Sequence, residues 1–98
     1  MCGATTGGLS VEGIDVTKEA VVQGIVQRGG EPVGGAYVRL LDSTGEFTAE
    51  VPTSATGHFR FFAAPGSWTL RVLAPGAATV DRTVTAEQGV VAEVEISV

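Results

Sequence analysis

The segment GHFRFFAAPGSWTLRV, residues 57–72, contains two runs of alternating apolar and polar residues on either side of a Pro-Gly turn. Alternation with a period of two is typical of half-buried β-strands, because successive side chains point to opposite faces. Phe59 and Phe61 share one face of the first run, and Trp68, Leu70 and Val72 share one face of the second. We expect all five side chains to lie in one core, with Trp68 at its centre.

The same alternation continues through most of the chain. Short alternating runs separated by Gly and Pro turns begin near Ala20, and no segment has sustained helical periodicity. Alternation also places Phe47 and Val90 on inward faces. We predict seven strands and no helix, in an all-β sandwich that spans residues 18–98 and follows an N-terminal tail of residues 1–17. The strands are expected at residues 20–27, 36–42 and 46–53, on both sides of the Pro65-Gly66 turn, and at residues 79–85 and 90–98.

Charge and cysteine content limit the functions that the chain supports. Eleven acidic and six basic residues give a formal net charge of -5, which repels phosphate and disfavours nucleic acid or an anionic membrane as a partner. Cys2 is the only cysteine and His58 the only histidine, so no disulfide, zinc cluster or catalytic triad is expected. The first residues lack the features of a signal peptide. We therefore expect a cytoplasmic protein that is not an enzyme and binds no metal or cofactor.

Several turn and core motifs resemble a known domain family. They are Gly30-Glu31-Pro32-Val33-Gly34-Gly35-Ala36, Thr56-Gly57-x-Phe59-x-Phe61 and Pro65-Gly66-Ser67-Trp68-Thr69-Leu70. Over residues 20–76 the chain is similar to the carboxypeptidase regulatory-like domain, a transthyretin-type sandwich. The resemblance implies a seven-stranded fold of that type and a non-catalytic role.

A closer resemblance covers nearly the whole chain. Met1-Cys2, residues 34–43, Glu46-Phe47-Thr48-Ala49-Glu50-Val51 and the run 59–70 resemble a family of small actinobacterial proteins, DUF1416. Its members are often encoded beside a thiosulfate sulfurtransferase. The resemblance implies a non-catalytic accessory or binding module in sulfur metabolism that docks such an enzyme or associates with itself.

Cys2 supports an alternative function. If Met1 is removed, the thiol lies beside an α-amino group, and a protonated neighbour favours the thiolate. Such a residue could carry a persulfide, which would make the chain a sulfur carrier. The competing explanation is an inert thiol in the tail.

Arg60 and Arg71 form a second candidate site. If the Pro65-Gly66 turn closes a hairpin, these two residues lie directly opposite each other on its outward face. Like charges in that position repel, so we expect a neighbouring carboxylate or a bound anion between them. An oxyanion such as sulfate or thiosulfate is one alternative, and acidic side chains of an adjacent strand are the other.

Large apolar side chains also occur at outward positions. Tyr37, Leu41, Phe62 and Leu73 fall on faces opposite to the predicted core. Several such residues on neighbouring strands would form a patch of the kind that marks an interface. We expect either a docking surface of these four residues or scattered exposure.

Overall fold

The computed structural model describes residues 20–98, and these residues form eight strands and no helix. The strands are β1 (Ala20–Arg28), β2 (Glu31–Pro32), β3 (Tyr37–Leu41), β4 (Phe47–Pro52), β5 (His58–Ala63), β6 (Gly66–Leu73), β7 (Val80–Ala86) and β8 (Val91–Ser97). The all-β prediction is confirmed. The predicted count of seven was one short, because the two-residue strand β2 pairs with the end of β1. The predicted tail, residues 1–17, lies outside the described residues.

The strands form two sheets that face each other across the core. In sheet A, β1 is central: it pairs with β5 and β2 in antiparallel directions and with β8 in the parallel direction. Sheet B is antiparallel and has the order β4-β3-β6-β7. Both sheets contribute side chains to a single apolar cluster, so the described residues form a two-layer sandwich.

The core contains most of the residues that alternation placed inward. Phe59 and Phe61 enter it from sheet A, while Leu70 and Val72 enter it from sheet B. The rest of the buried cluster comes from the other long strands. These residues are Ala20, Val22, Val26, Val38, Leu40, Val51, Val84, Ala86 and Ile96.

The predicted hairpin between the runs that flank Pro65-Gly66 is wrong. β5 pairs with β1, whereas β6 pairs with β3 and β7. The connection therefore carries the chain from one sheet to the other. Gly66 has a φ of 143°, a conformation that favours glycine. The predicted central position of Trp68 is corrected: its side chain is only partly buried and packs against the margin of the core. Its Nε1 atom donates a 2.8 Å hydrogen bond to the Ala64 carbonyl across this connection.

Two predicted inward residues are exposed. The pairing of β3 with β4 shifts by one residue between Leu40 and Leu41, so Thr48 is an extra residue and Phe47 pairs with Leu41. Such a bulge reverses the alternation beyond it, and Phe47 points outward with 62% of its surface exposed. Val90 precedes the first residue of β8 and is also exposed.

Gly24 occupies the centre of β1, on the core side of sheet A. It pairs with Phe59 on one neighbouring strand and with Val94 on the other. A Cβ atom at this position would overlap the carbonyl oxygen of Val94 and lie 2.9 Å from the Phe59 ring. The absence of a side chain is therefore what allows β5 and β8 to approach β1 at this level.

The Gly24→Ala substitution should lower the free energy of unfolding by about 3 kcal/mol, because a rigid backbone oxygen must move to admit the methyl group. Urea titration of the full chain measures the loss. Gln27→Ala, in the same strand, is the control and should change stability by less than about 0.5 kcal/mol. A loss below about 1 kcal/mol for Gly24→Ala would contradict the close approach of β8.

Candidate functional site

The predicted arginine pair is not formed. Arg60 belongs to β5 in sheet A, and Arg71 belongs to β6 in sheet B. Both alternate with core residues, so they point outward from opposite sides of the sandwich. The hypothesis of one anion held between them fails because the hairpin on which it rested does not exist. Cys2, the other predicted chemical residue, lies outside the described residues.

Three of the four predicted interface residues lie together on the outer side of sheet B. Tyr37 pairs with Leu73 on β6 and with Pro52 on β4. Four residues further along β3, Leu41 pairs with Phe47. We call this surface the sheet B face; its residues are Tyr37, Arg39, Leu41, Phe47, Glu50, Pro52, Thr69, Arg71, Leu73 and Asp81.

Phe62, the fourth predicted interface residue, does not belong to this surface. It lies on β5 and is half-buried on the outer side of sheet A. Alternation assigned it correctly to an outward position, but β5 and β6 contribute to different sheets. The predicted four-residue patch is therefore corrected to Tyr37 and Leu73 together with Phe47. Leu41 lies on the same side of β3, but it is buried, with 5% of its surface exposed.

A charged row crosses the middle of the sheet B face. Arg39 and Arg71 lie directly opposite each other on β3 and β6. Arg39 Nε donates to Glu50 Oε2 at 2.6 Å, and Arg71 donates two hydrogen bonds of 2.9 and 3.0 Å to the two oxygens of Asp81. The row therefore begins and ends with a carboxylate and has two guanidinium groups between them. Each guanidinium group has its own counterion.

The ion pair at the β7 end of this row perturbs both partners. The hydrogen bonds from Arg71 hold the pKa of the Asp81 carboxyl below its ordinary value. The same hydrogen bonds and the charge of Asp81 raise the pKa of Arg71. Both groups are largely exposed, so water and salt weaken the pair. The register of β3 and β6 places Arg71 beside Arg39, and the ion pair gives Arg71 a counterion on its other side.

The outer side of sheet A is organised in three rows, and we call it the sheet A face. The rows are Val91, Val21 and Phe62; Glu93, Gln23 and Arg60; and Glu95, Ile25 and His58. In the middle row, Gln23 accepts a 2.9 Å hydrogen bond from Arg60 Nε and donates one of 3.2 Å to Glu93 Oε1. The amide therefore links a guanidinium group on one side to a carboxylate on the other.

Within residues 20–98, no group of three or more His, Cys, Asp and Glu residues could hold a metal ion. His58 forms a 2.7 Å contact between its Nδ1 atom and Thr56 Oγ1. Residues 20–98 contain no helix that is long and apolar enough to cross a membrane.

Sequence reasoning missed several residues of these two faces. Arg39 and Gln23 were visible as polar residues in alternating runs, but their partners depend on strand pairing. Phe47 was assigned to the core because its run alternates without interruption. The signal for the bulge is the preceding Asp42, whose Oδ1 atom accepts hydrogen bonds from the backbone amides of Thr44 and Glu46 at 2.9 and 3.0 Å. This capping shapes the connection into β4.

With these two faces described, comparison with known proteins identifies the family. Residues 2–98 match the family described as a protein of unknown function, DUF1416. The chain belongs to this family. Proteins that it resembles include two uncharacterized proteins of Mycobacterium tuberculosis, each 60% identical over 75 residues, which are 74% of this chain and 75% of the relative. An uncharacterized protein of Mycolicibacterium smegmatis is 63% identical over 62 residues, or 62% of this chain and 69% of the relative.

Solved structures similar to this DUF1416 chain share its fold at low sequence identity. The major pilin subunit of Bacillus cereus aligns with a TM-score of 0.70 and 20% identity, over 82% of this chain and 28% of the pilin chain. The dioxygenase domain of a Streptomyces dioxygenase carbohydrate-binding fusion aligns with a TM-score of 0.64 and 12% identity, over 96% of this chain and 88% of that one. These likenesses establish the sandwich fold alone.

Asp81→Asn should destabilise the DUF1416 chain near neutral pH, because it removes the counterion of Arg71 and leaves two guanidinium groups opposite each other. The folded pKa of Asp81 is lowered, so the contribution of its charge is present above the unfolded pKa of about 3.9 and is lost as the pH falls through the folded value. Urea titrations should therefore show that the free energy of unfolding of Asp81→Asn is lower than that of the unchanged protein. This difference should become smaller as the pH falls and as salt is added.

The matched control for Asp81→Asn is Glu87→Gln, which removes one carboxylate from an exposed turn. Its effect on stability should be smaller at every pH. Equal effects of the two substitutions would mean that only net charge matters and that the Arg71 pair contributes nothing specific.

Proposed function

We propose that this chain is a non-catalytic accessory module that docks another protein through the sheet B face. The observation that carries the proposal is the pair of exposed aromatic side chains, Tyr37 and Phe47, which are 51% and 62% exposed. They lie on the same face as Leu41 and Leu73, on either side of the charged row. Exposed aromatic residues in an apolar patch are characteristic of interfaces.

The charged row supports docking in a defined orientation. Arg39 and Arg71 occupy the centre of the face, and Glu50 and Asp81 lie outside them. A partner with acidic groups over the two arginines and basic groups towards the edges would match this pattern. Charge patterns of this kind contribute mainly to specificity and association rate, whereas the apolar rows contribute contact area.

The proposed partner is a thiosulfate sulfurtransferase, as the resemblance to the family implies, in a cytoplasmic role in sulfur metabolism. Self-association through the same face is the other form of the proposal.

We also retain the transthyretin-type, carboxypeptidase regulatory-like class for the sandwich. Its members are usually non-catalytic appendages, which agrees with a docking role.

The double substitution Tyr37→Lys with Phe47→Lys should abolish docking, because it replaces two exposed apolar anchors with strongly hydrated charges. Titration calorimetry with a thiosulfate sulfurtransferase measures binding, and sedimentation of the chain alone measures self-association. The control is Val90→Lys, which changes an apolar residue that is 42% exposed and lies before β8 rather than on the sheet B face. Val90→Lys should bind as the unchanged protein does.

Equal binding by the double variant and the unchanged protein would exclude the sheet B face as the docking surface. Absence of both binding and self-association in the unchanged protein would overturn the proposed function. A complex of the chain with itself that the double variant loses would support the self-associating form. Urea titration of each variant checks that the sandwich remains folded, since both changed side chains are largely exposed.

The alternative from the sequence is a sulfur carrier in which Cys2 accepts the terminal sulfur atom. In that reaction the Cys2 thiolate attacks the outer sulfur of a persulfide on the sulfurtransferase, which leaves as a thiolate. Incubation with the enzyme and thiosulfate, followed by mass measurement, should then show the addition of one sulfur atom that Cys2→Ser loses. If no sulfur is added, the docking module remains and the carrier is excluded.

A further inference from the structure

β8 is the outermost described strand on its side of sheet A, and its ladder with β1 uses only one of its two edges. The backbone N–H of Val98 donates to the Gln27 carbonyl of β1 at 2.8 Å. Backbone groups of successive residues point to alternate edges of a strand, so every second residue before Val98 also bonds to β1. The backbone groups of the remaining residues point away from β1, where no strand within residues 20–98 pairs with them. These residues are Val91, Glu93, Glu95 and Ser97.

The sheet edges at β4, β5 and β7 carry features that oppose the addition of a strand. In β7, Arg82 pairs with the core residue Leu70 and therefore lies on the inward side, although it is exposed. β4 contains a bulge and ends at Pro52, which has no N–H. In β5, the His58 carbonyl already accepts a 3.0 Å hydrogen bond from the Ser54 amide. The seven residues of β8 include no proline, no bulge and no inward charge, so its open edge is the one suited to pairing.

Charge determines which strand this edge accepts. Glu93 and Glu95 are exposed on the sheet A face. If two copies of the chain paired antiparallel through β8 about Val94, Glu93 of each copy would lie opposite Glu95 of the other. Like charges in that position are destabilising, and each copy has a net charge of -5. A strand with basic side chains at alternate positions avoids this repulsion and places an opposite charge across from each glutamate.

We propose that the open edge of β8 binds an extended segment of another protein in which Lys or Arg alternates with apolar residues. The segment adds a strand to sheet A, in the antiparallel direction that gives the more stable ladder. Its basic side chains lie opposite Glu93 and Glu95. Its apolar side chains lie on the core side, beside Ala92 and Val94, which are only partly buried at the margin of the core. This inference does not depend on the sheet B face, because β8 belongs to the other sheet.

Titration of the isotope-labelled full chain with a synthetic peptide tests the binding and its place. In the peptide, lysine and valine alternate and both termini are capped. The NMR amide signals of Glu93, Glu95 and Ser97 should shift as the peptide is added, because their N–H groups acquire acceptors. A peptide with glutamate in place of lysine should not bind. Glu93→Lys with Glu95→Lys should reverse this preference, because the charges across the new ladder are exchanged.

Two N-methylated peptides separate strand addition from a general attraction between opposite charges. In an antiparallel ladder, a lysine opposite Glu95 directs its own N–H towards β8, whereas the neighbouring valine directs its N–H away. Methylation of the lysine amides should therefore weaken binding at least about ten-fold, because it removes the hydrogen bonds to β8. Methylation of the valine amides should leave the affinity unchanged. Both peptides keep the same charge.

Glu95→Pro makes the same test from the side of the protein. The N–H of residue 95 points to the open edge, so proline removes a donor there without removing a hydrogen bond to β1. The matched control is Glu95→Ala, which removes the same charge and keeps the N–H. Glu95→Pro should bind the peptide at least about ten-fold more weakly than Glu95→Ala. Urea titration checks the fold, and if Glu95→Pro does not fold, the methylated peptides decide the question by themselves.

Three results would overturn the inference. The two methylated peptides could bind equally well, which would reduce the interaction to charge alone. The amides of Glu93 and Glu95 could exchange slowly with solvent before any peptide is added, which would show that the edge is already paired. The chain could also associate with itself in a manner that Glu95→Pro abolishes and Glu95→Ala does not, which would assign the edge to a second copy.

Discussion

The close approach of three strands at Gly24 is the constraint on which the rest of the described structure depends. β1 is hydrogen-bonded on both edges, and at its centre the carbonyl of Val94 and the ring of Phe59 occupy the space that a side chain would need. This packing sets the register of β5 and β8 against β1. The same register aligns Glu93, Gln23 and Arg60 on the opposite side of the sheet, so the core contact and the outer polar row have one origin.

The arginine side chains on the two outer faces differ in their exposure and in their hydrogen-bond partners. On the sheet B face, Arg39 and Arg71 each have a counterion and remain in contact with water. On the sheet A face, Arg60 is buried, and an amide separates it from the nearest carboxylate of its row. Exposed ion pairs contribute little to the stability of the fold, and charges at a docking surface contribute mainly to the specificity and rate of association. A buried guanidinium group loses its hydration, so an unsatisfied N–H group on Arg60 is costly.

The bulge in β4 determines that Phe47 is part of the proposed docking surface. Asp42 caps the connection between β3 and β4, and its pKa is lowered chiefly by the hydrogen bond from the Thr44 hydroxyl. The strand that follows contains one extra residue, so Phe47 lies beside Leu41 rather than in the core. An aromatic side chain that regular alternation would bury thereby becomes part of the exposed sheet B face.

Sequence alternation by itself determined that residues 20–98 are all β and which side of most of their strands is apolar. Phe59, Phe61, Leu70 and Val72 are in the core as predicted, and Tyr37 and Leu73 point outward. Only the tertiary structure decided which strands are neighbours, and this separated Arg60 from Arg71 and Phe62 from the other predicted interface residues. The physical reason is that a period of two assigns a side chain to a face within its own strand. The hydrogen-bonding partner of that strand is selected by packing between residues far apart in the chain, such as Gly24 with Phe59 and Val94.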